Sequence, residues 1–361
     1  MQLDAETRAR RWSALQDKAA ELQTQASLNH ALEAVGDLEA RVRGLADKIH
    51  TLRGSGYRYA QTVEARAQQA ADDWPAIRRQ ADAALSRARI SLSSLDADIA
   101  RVLSQGRRAA TTNDFNAADD ALERVEERIE QASRGVTGTF DNFAARVNAV
   151  NRELDHLIWA AEAWAGASFD SYPDEALVDA AKAQWIARGD DEGPKGIFFL
   201  TDARVIMEQK EKVATKKVLF IATEKKLVQE MQFAAPIGAV EVLDATDARG
   251  GFLGLGKREM LTLQFTAATE GKRISRAVLR LLGGADNEKW AARIKQVQRG
   301  DIAQEAIASA QPQEAAPESS PATPPREIPT HCPACGALFT QSIVKGMKEL
   351  RCEYCGALIR L

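Results

Sequence analysis

Cysteine is nearly absent from this chain: there are four in 361 residues, all within the last thirty. Everything before Cys332 therefore lacks a thiol for a disulfide or a nucleophile. Long hydrophobic runs are missing too. No stretch approaches the roughly 18 continuous apolar residues of a membrane span, and the segment from Met1 to Trp12 has no apolar core that could serve as a signal peptide. Charge of one sign is also lacking. Lys and Arg number 48 against 51 Asp and Glu, which gives a net charge of −3 and no basic field of the kind nucleic-acid binders carry. Histidine is scarce, and His30, His50 and His156 have no neighbouring cysteine or carboxylate arrangement that suggests a site. Neither a Gly-x-Ser-x-Gly elbow nor a His-Glu-x-x-His helix occurs. These absences argue against an enzyme. Free cysteines at metal-ligand spacing fit a reducing compartment, so the expected location is cytoplasmic, with peripheral membrane attachment left open.

The length calls for about two or three domains. Residues 1–166 are patterned for helices. From Phe115 to Trp164, apolar or small residues recur at alternating steps of three and four, the spacing of a coiled-coil stripe. One four-four step runs through Ala132, Val136 and Phe140 beside Gly135 and Gly138, where a kink or local unwinding is expected. A second stripe runs from Val63 to Val102 and is interrupted by Pro75, which predicts a kink or two helices. A third runs from Trp12 to Leu52. The breaks between stripes are Gly54-Ser55-Gly56 and the stretch from Gly106 to Asp114, with Asn113 or Asp114 as candidate cap. Three segments of similar length predict an antiparallel helical coiled-coil bundle, up-down-up. Over residues 1–165 there are 22 basic and 25 acidic side chains, so its surface suits a spacer or self-association. The same stripes serve within one chain or between two, so a homo-oligomer through the coiled coil stays open.

Residues 174–300 change character. Gly196 to Met207 reads as two strands joined at Thr201-Asp202-Ala203. Strand-like runs follow at 217–222, 226–233, 240–243, 259–265 and 276–282. An amphipathic helix over 286–297 then presents Trp290, Ile294 and Val297 on one face. Strands closed by one helix, with a first hairpin of glycine, apolar run, Thr-x-x-Arg and apolar run, resemble the GRAM and bacterial pleckstrin-homology (PH)-like domains. The resemblance covers about a third of the chain. It implies a partly open β-barrel plugged by a helix, used for lipid or protein binding and not for catalysis.

Lys216, Lys217, Lys225 and Lys226 flank two of these strands and form a candidate surface for an anionic ligand or membrane. Glu208, Glu211 and Glu224 interleave with the lysines of this region, which favours a plain solvated edge. The run from Gly251 to Arg258 approaches a phosphate-binding loop, but Arg258 stands where the magnesium-binding Ser or Thr should be, and a strand follows instead of a helix. Its apolar tip, Phe252, Leu253 and Leu255, suits a membrane or partner contact.

Residues 301–330 hold six of the eleven prolines among Ala, Glu, Gln and Ser, the composition of a flexible linker. In residues 331–361, Cys332-x-x-Cys335 and Cys352-x-x-Cys355 are separated by sixteen residues, and Gly336 and Gly356 follow the second cysteine of each pair. Each pair can bring two thiolates to one ion from a tight turn. This looks like a zinc ribbon, with one structural zinc held by Cys332, Cys335, Cys352 and Cys355. A rubredoxin-like iron site has the same ligands, and spacing does not separate the two. His331 is read as a bystander. From Arg326 onward, five basic and three acidic side chains nearly balance the −2 of zinc tetrathiolate. Protein contact is therefore favoured over nucleic acid, although Lys345, Lys348 and Arg351 cluster on the central hairpin.

The whole reads as a multidomain α+β scaffold: coiled-coil bundle, PH-like β-barrel with a C-terminal helix, linker and zinc ribbon. Its expected partners are proteins. The alternatives are anionic-lipid binding through the PH-like region and nucleic-acid regulation through the ribbon.

Overall fold

The computed structural model describes residues 2–186, 193–218, 221–249, 257–307, 331–339, 347 and 349–360. Contacts divide the chain into two compact units. One is Met1–Ile49 with Val63–Leu154, the other His50–Thr62 with Asp155–Leu361.

Three helical segments are present, and each is broken once. They are α1 (Ala5–Gln25) and α2 (Asn29–Gly54), α3 (Gln61–Leu92) and α4 (Leu95–Arg108), and α5 (Thr112–Thr137) and α6 (Asp141–Ala165). Side-chain pairs trace the up-down-up course. Arg11 bonds Asn116 and Lys18 pairs with Glu126, so α1 runs parallel to α5. Trp12 and Leu15 lie against Gly106, and Gln23 against Asp96, so α4 runs the other way. Arg41–Asn148, Arg78–Glu39 and Arg146–Asp73 repeat the order for α2, α6 and α3. The expected disturbance beside Gly138 is the turn at 138–140 between α5 and α6.

Two local expectations need correction. No break occurs at Pro75, which lies inside α3. Ala71 and Pro75 are on an exposed face, where the carbonyl that loses its N–H partner can turn to water. The second stripe breaks later, at residues 93–94. The cap of α5 is Thr111, not Asn113 or Asp114. Its hydroxyl accepts the Asp114 amide at 3.2 Å while the Asp114 carboxylate accepts the Thr111 amide at 2.8 Å.

In the second unit, β1 (Leu177–Trp185), β2 (Lys195–Thr201), β3 (Arg204–Val218), β4 (Ile221–Pro236), β5 (Val240–Arg249), β6 (Lys257–Phe265), β7 (Glu270–Gly271) and β8 (Arg276–Leu281) form one antiparallel sheet. Their order is β5-β6-β8-β1-β2-β3-β4-β7. Phe233 of β4 meets Trp185 of β1 and Phe265 of β6 at centroid separations of 5.4 and 5.5 Å. Strands β4 and β6 are five places apart, about 24 Å if the sheet were flat. The sheet must therefore curl into a half-barrel. Helix α7 (Asn287–Arg299) packs on it, with Trp290, Ile294 and Val297 buried and the Trp290 ring 5.2 Å from Phe198. Asp286 caps its first turn, and Gly300 ends it at φ 84°.

Here too the sequence reading needs correcting. The strand expected over 217–222 straddles a reversal, since β3 ends at Val218 and β4 starts at Ile221. Residues 219–220 lie outside the described residues. Strand β1 was not anticipated at all. Ala180, Ala181 and Ala183 weaken its strand character, yet it lies between β2 and β8 with all but two of its residues buried. The break expected at Gly54-Ser55-Gly56 leads into residues that do more than turn the chain. Tyr57 and Tyr59 are buried, donating to Val178 O at 2.7 Å and to Asp202 Oδ2 at 3.0 Å. The linker expected from residue 301 starts later: Asp301–Glu305 form a short 3-10 helix with Ile302 buried, and the Ile307 amide donates to Arg58 O at 3.0 Å. Residues 250–256, with the apolar tip of the glycine-rich loop, and the rest of the linker, 308–330, lie outside the described residues.

Candidate metal centre

Two turns of one design carry the cysteines. In the first, Gly336 N–H donates to Cys332 O at 2.7 Å and Cys332 N–H to Ala337 O at 2.8 Å. In the second, Gly356 N–H donates to Cys352 O and Cys352 N–H to Ala357 O, both at 2.9 Å. Gly336 and Gly356 have φ values of 72° and 75°, where a side chain would be strained. After each turn the chain repeats itself, as Gly-Ala-Leu-Phe at 336–339 and Gly-Ala-Leu-Ile at 356–359. His331 bridges Leu338, and β9 (Glu349–Arg351) pairs with β10 (Leu358–Arg360). Cys332, Cys352 and Ile359 are buried, with Phe339 and Ala357 against them.

The four Sγ atoms lie within 4.8 Å of one another. Cys332 and Cys355 are 3.7 Å apart, Cys335 and Cys352 3.6 Å. Sulfurs about 2.3 Å from a tetrahedral zinc stand about 3.8 Å from each other, so the group needs almost no adjustment to take one ion. Without a cation the sulfurs cannot all be thiolates. The Cys352 thiol is drawn down to about 6, first by the Cys355 amide. The Ala337 amide favours a Cys335 thiolate, but hydrogen bonding to Cys355, burial and the other thiols outweigh it and push that group up to about 12. A divalent ion removes this conflict. The four cysteines are thus positioned to bind a metal ion, and four thiolates leave no coordination site for water or substrate. His331 is not part of the cluster.

The register of β3 with β4 brings the predicted lysines to one end of that hairpin: Lys216 pairs with Glu224, Lys217 with Ala222, Ala214 with Lys225 and Val213 with Lys226. The Lys226 side chain is exposed, while the side chains of Lys216, Lys217 and Lys225 fall outside what is described. Lys345 and Lys348, expected on a central hairpin between the two cysteine pairs, are likewise outside the described residues.

The Thr-x-x-Arg hairpin has a structural task. Thr201 Oγ1 accepts the amides of Ala203 and Arg204 at 3.1 and 2.8 Å and so holds the turn. The Arg204 side chain, 3% exposed, pairs with the fully buried Glu175, donates to Asp170 O and lies 3.8 Å from the Tyr172 ring centroid. It clips residues 170–175 onto the sheet, with four of its five N–H donors taken by Glu175, Glu270 and Asp170. Gly196 is required by close approach: a Cβ there would sit 1.8 Å from the Glu208 carbonyl oxygen.

Neither family models nor curated proteins match the chain. Among solved structures, the linker-DH/PH domains of p115-RhoGEF, N-terminally truncated, align at 13% identity over 80% of this chain and 98% of that one, with a TM-score of 0.23. A point variant of the p115-RhoGEF DH/PH domains aligns at 10% identity over 81% and 98%, with a TM-score of 0.21. TM-scores this low do not establish a shared fold.

Proposed function

We propose that this chain is a non-enzymatic adaptor. A zinc ribbon (331–361), joined to the rest by a proline- and alanine-rich linker, binds protein partners, and a helical bundle (1–166) with a PH-like domain (174–300) forms its body. The observation that carries the reading is on the ribbon's exterior. Leu338, Tyr354 and Leu358 are 62%, 69% and 60% exposed, although the module has only a small apolar core. Large apolar side chains left in water on so small a unit favour burial against another protein. The PH-like reading is supported by the strand order and by Trp290 plugging the half-barrel. Zinc is favoured over iron as the commoner occupant of such a site, and its closed shell suits a structural role. A tether raises the effective concentration of the ribbon near whatever the body has engaged.

The test begins with metal analysis of the full chain and of a chain truncated after residue 325. One zinc per full chain, absent from a folded truncate, is expected. A Leu338→Ser, Tyr354→Ser, Leu358→Ser variant should then keep its zinc and lose the proteins that co-purify with the wild type. Iron in the site, or unchanged co-purification, would overturn the reading.

A second reading, peripheral binding to anionic membranes, draws on Val213 and Leu227, 40% and 52% exposed beside Lys226. It requires salt-sensitive pelleting with anionic vesicles that disappears when Lys216, Lys217, Lys225 and Lys226 are replaced by alanine.

A further inference from the structure

Helix α3 belongs to the first unit from Val63 onward, and its outer face carries an ordered pattern of charge. Val63, Ala67, Ala70, Ala81 and Ala88 are buried and mark the side that faces the bundle. On the opposite side, Ala65, Asp72, Ala76, Arg79, Ala83 and Ile90 recur at the steps of a heptad, and all six are exposed. Ile90, at 73%, is the most exposed large apolar side chain among the described residues.

Charge on α3 is divided between its ends. Residues 63–75 hold Glu64, Asp72 and Asp73 against Arg66, a net of −2. Residues 76–92 hold Arg78, Arg79, Arg87 and Arg89 against Asp82, a net of +3. Some of these groups are engaged within the bundle: Arg66 pairs with Glu153, Asp73 with Arg146, and Arg78 with Glu39 and Asp82. Arg79, Arg87 and Arg89 have no bonding partner among the described residues, and Asp72 takes only the Gln68 side-chain amide, at 2.8 Å.

Asp72 and Arg79 lie equally far from the midpoint between Pro75 and Ala76, about 5 Å along the axis on either side. A second α3 laid antiparallel on this face, with a two-fold axis at that midpoint, sets each Asp72 level with Arg79 of the other copy. Glu64 and Arg89, on one flank of the stripe, come level to within a turn across the same axis. Four opposite-charge contacts result, two of each kind. A parallel pair in register would instead set Arg79 against Arg79 and Arg89 against Arg89. The alanines admit close approach of the axes, and each Ile90 comes within about a turn of Ala65 of the other copy.

We propose that two copies of this chain associate antiparallel through the outer face of α3, about a two-fold axis between Pro75 and Ala76. A face whose opposite charges are symmetric about one point is complementary to itself, which a two-fold dimer requires. Exposed ion pairs are individually weak, so they set direction and register, while covering Ile90 and the alanines supplies attraction. The interface uses neither the cysteine module nor the β3–β4 lysines, and it goes beyond the adaptor reading without depending on it.

The test is sedimentation equilibrium of the full chain at low and high salt, up to a concentration of about 200 μM. A monomer–dimer equilibrium that weakens with salt is expected. Arg79→Asp sets like charges opposite each other twice and should raise the dimer dissociation constant roughly tenfold or more, as should Asp72→Arg. The double exchange, Asp72→Arg with Arg79→Asp, should restore the wild-type value. All three variants should keep the wild-type circular dichroism, because both positions are exposed. The Leu338→Ser, Tyr354→Ser, Leu358→Ser variant should dimerise as the wild type does. A chain that stays monomeric throughout would overturn the proposal. So would single exchanges without effect, a double exchange that fails to restore the dimer, or a dimer lost with the three serine substitutions.

Discussion

Glycine and arginine each answer a particular neighbour here, and substitutions separate the positions that matter from those that do not. Gly196→Ala forces a methyl onto the Glu208 carbonyl, so β2 and β3 must part, at a cost of about 2–3 kcal/mol by urea unfolding. Gly135→Ala is the contrast. Its Cβ would meet nothing within 4 Å inside α5, and stability should rise by about 0.5–1 kcal/mol. Arg204→Ala strands the buried Glu175 carboxylate, and a loss of about 3–5 kcal/mol is expected. Adding Glu175→Leu to an Arg204→Met background should recover part of that loss, since removing both charges leaves none unpaired. If the double variant lost the full sum, the ion pair would not be what holds 170–175 to the sheet.

At the scale of elements, helix ends were set by hydrogen bonds that a residue's type alone leaves ambiguous. Thr111, Asn113 and Asp114 are all capping residues by type. Only Thr111 has extended backbone followed by helix, so Thr111→Ala should cost about 1 kcal/mol in thermal unfolding, and Asn113→Ala close to nothing. The half-barrel depends on elements that look weak in isolation. Strand β1 is rich in alanine, and β7 has two residues, yet β7 brings Glu270 to Arg204 at 3.1 Å. These elements derive their stability from neighbours and not from propensity.

For the molecule as a whole, the metal and the rest of the fold should be separable. The cysteine module has few buried residues of its own, so a bound metal ion would supply most of its folding free energy. Chelation should collapse the amide signals of 331–360 and leave helical circular dichroism within a few per cent of its starting value, because α1 to α7 contain none of the four cysteines. Parallel loss of helix on chelation would show that the metal holds more than the ribbon. Cys332→Ser and Cys352→Ser should each abolish stoichiometric zinc, since three thiolates no longer close the shell.

The features legible in the residues were those whose information is local. The cysteine spacing placed four sulfurs around one point, three- and four-residue steps marked the helices and their turn near Gly138, and Gly196 to Met207 read correctly as a hairpin. Periodicity and ligand spacing act over a few residues, where chain geometry admits few outcomes. What stayed hidden depends on residues distant in sequence. Tyr57 reaches Val178 across 121 residues, and Tyr59 reaches Asp202 across 143. Arg204 finds Glu175 and Glu270 only once the sheet has formed, and β1 becomes a strand because β2 and β8 flank it. Such contacts depend on where the curled sheet brings its strands, and no short stretch of sequence encodes that.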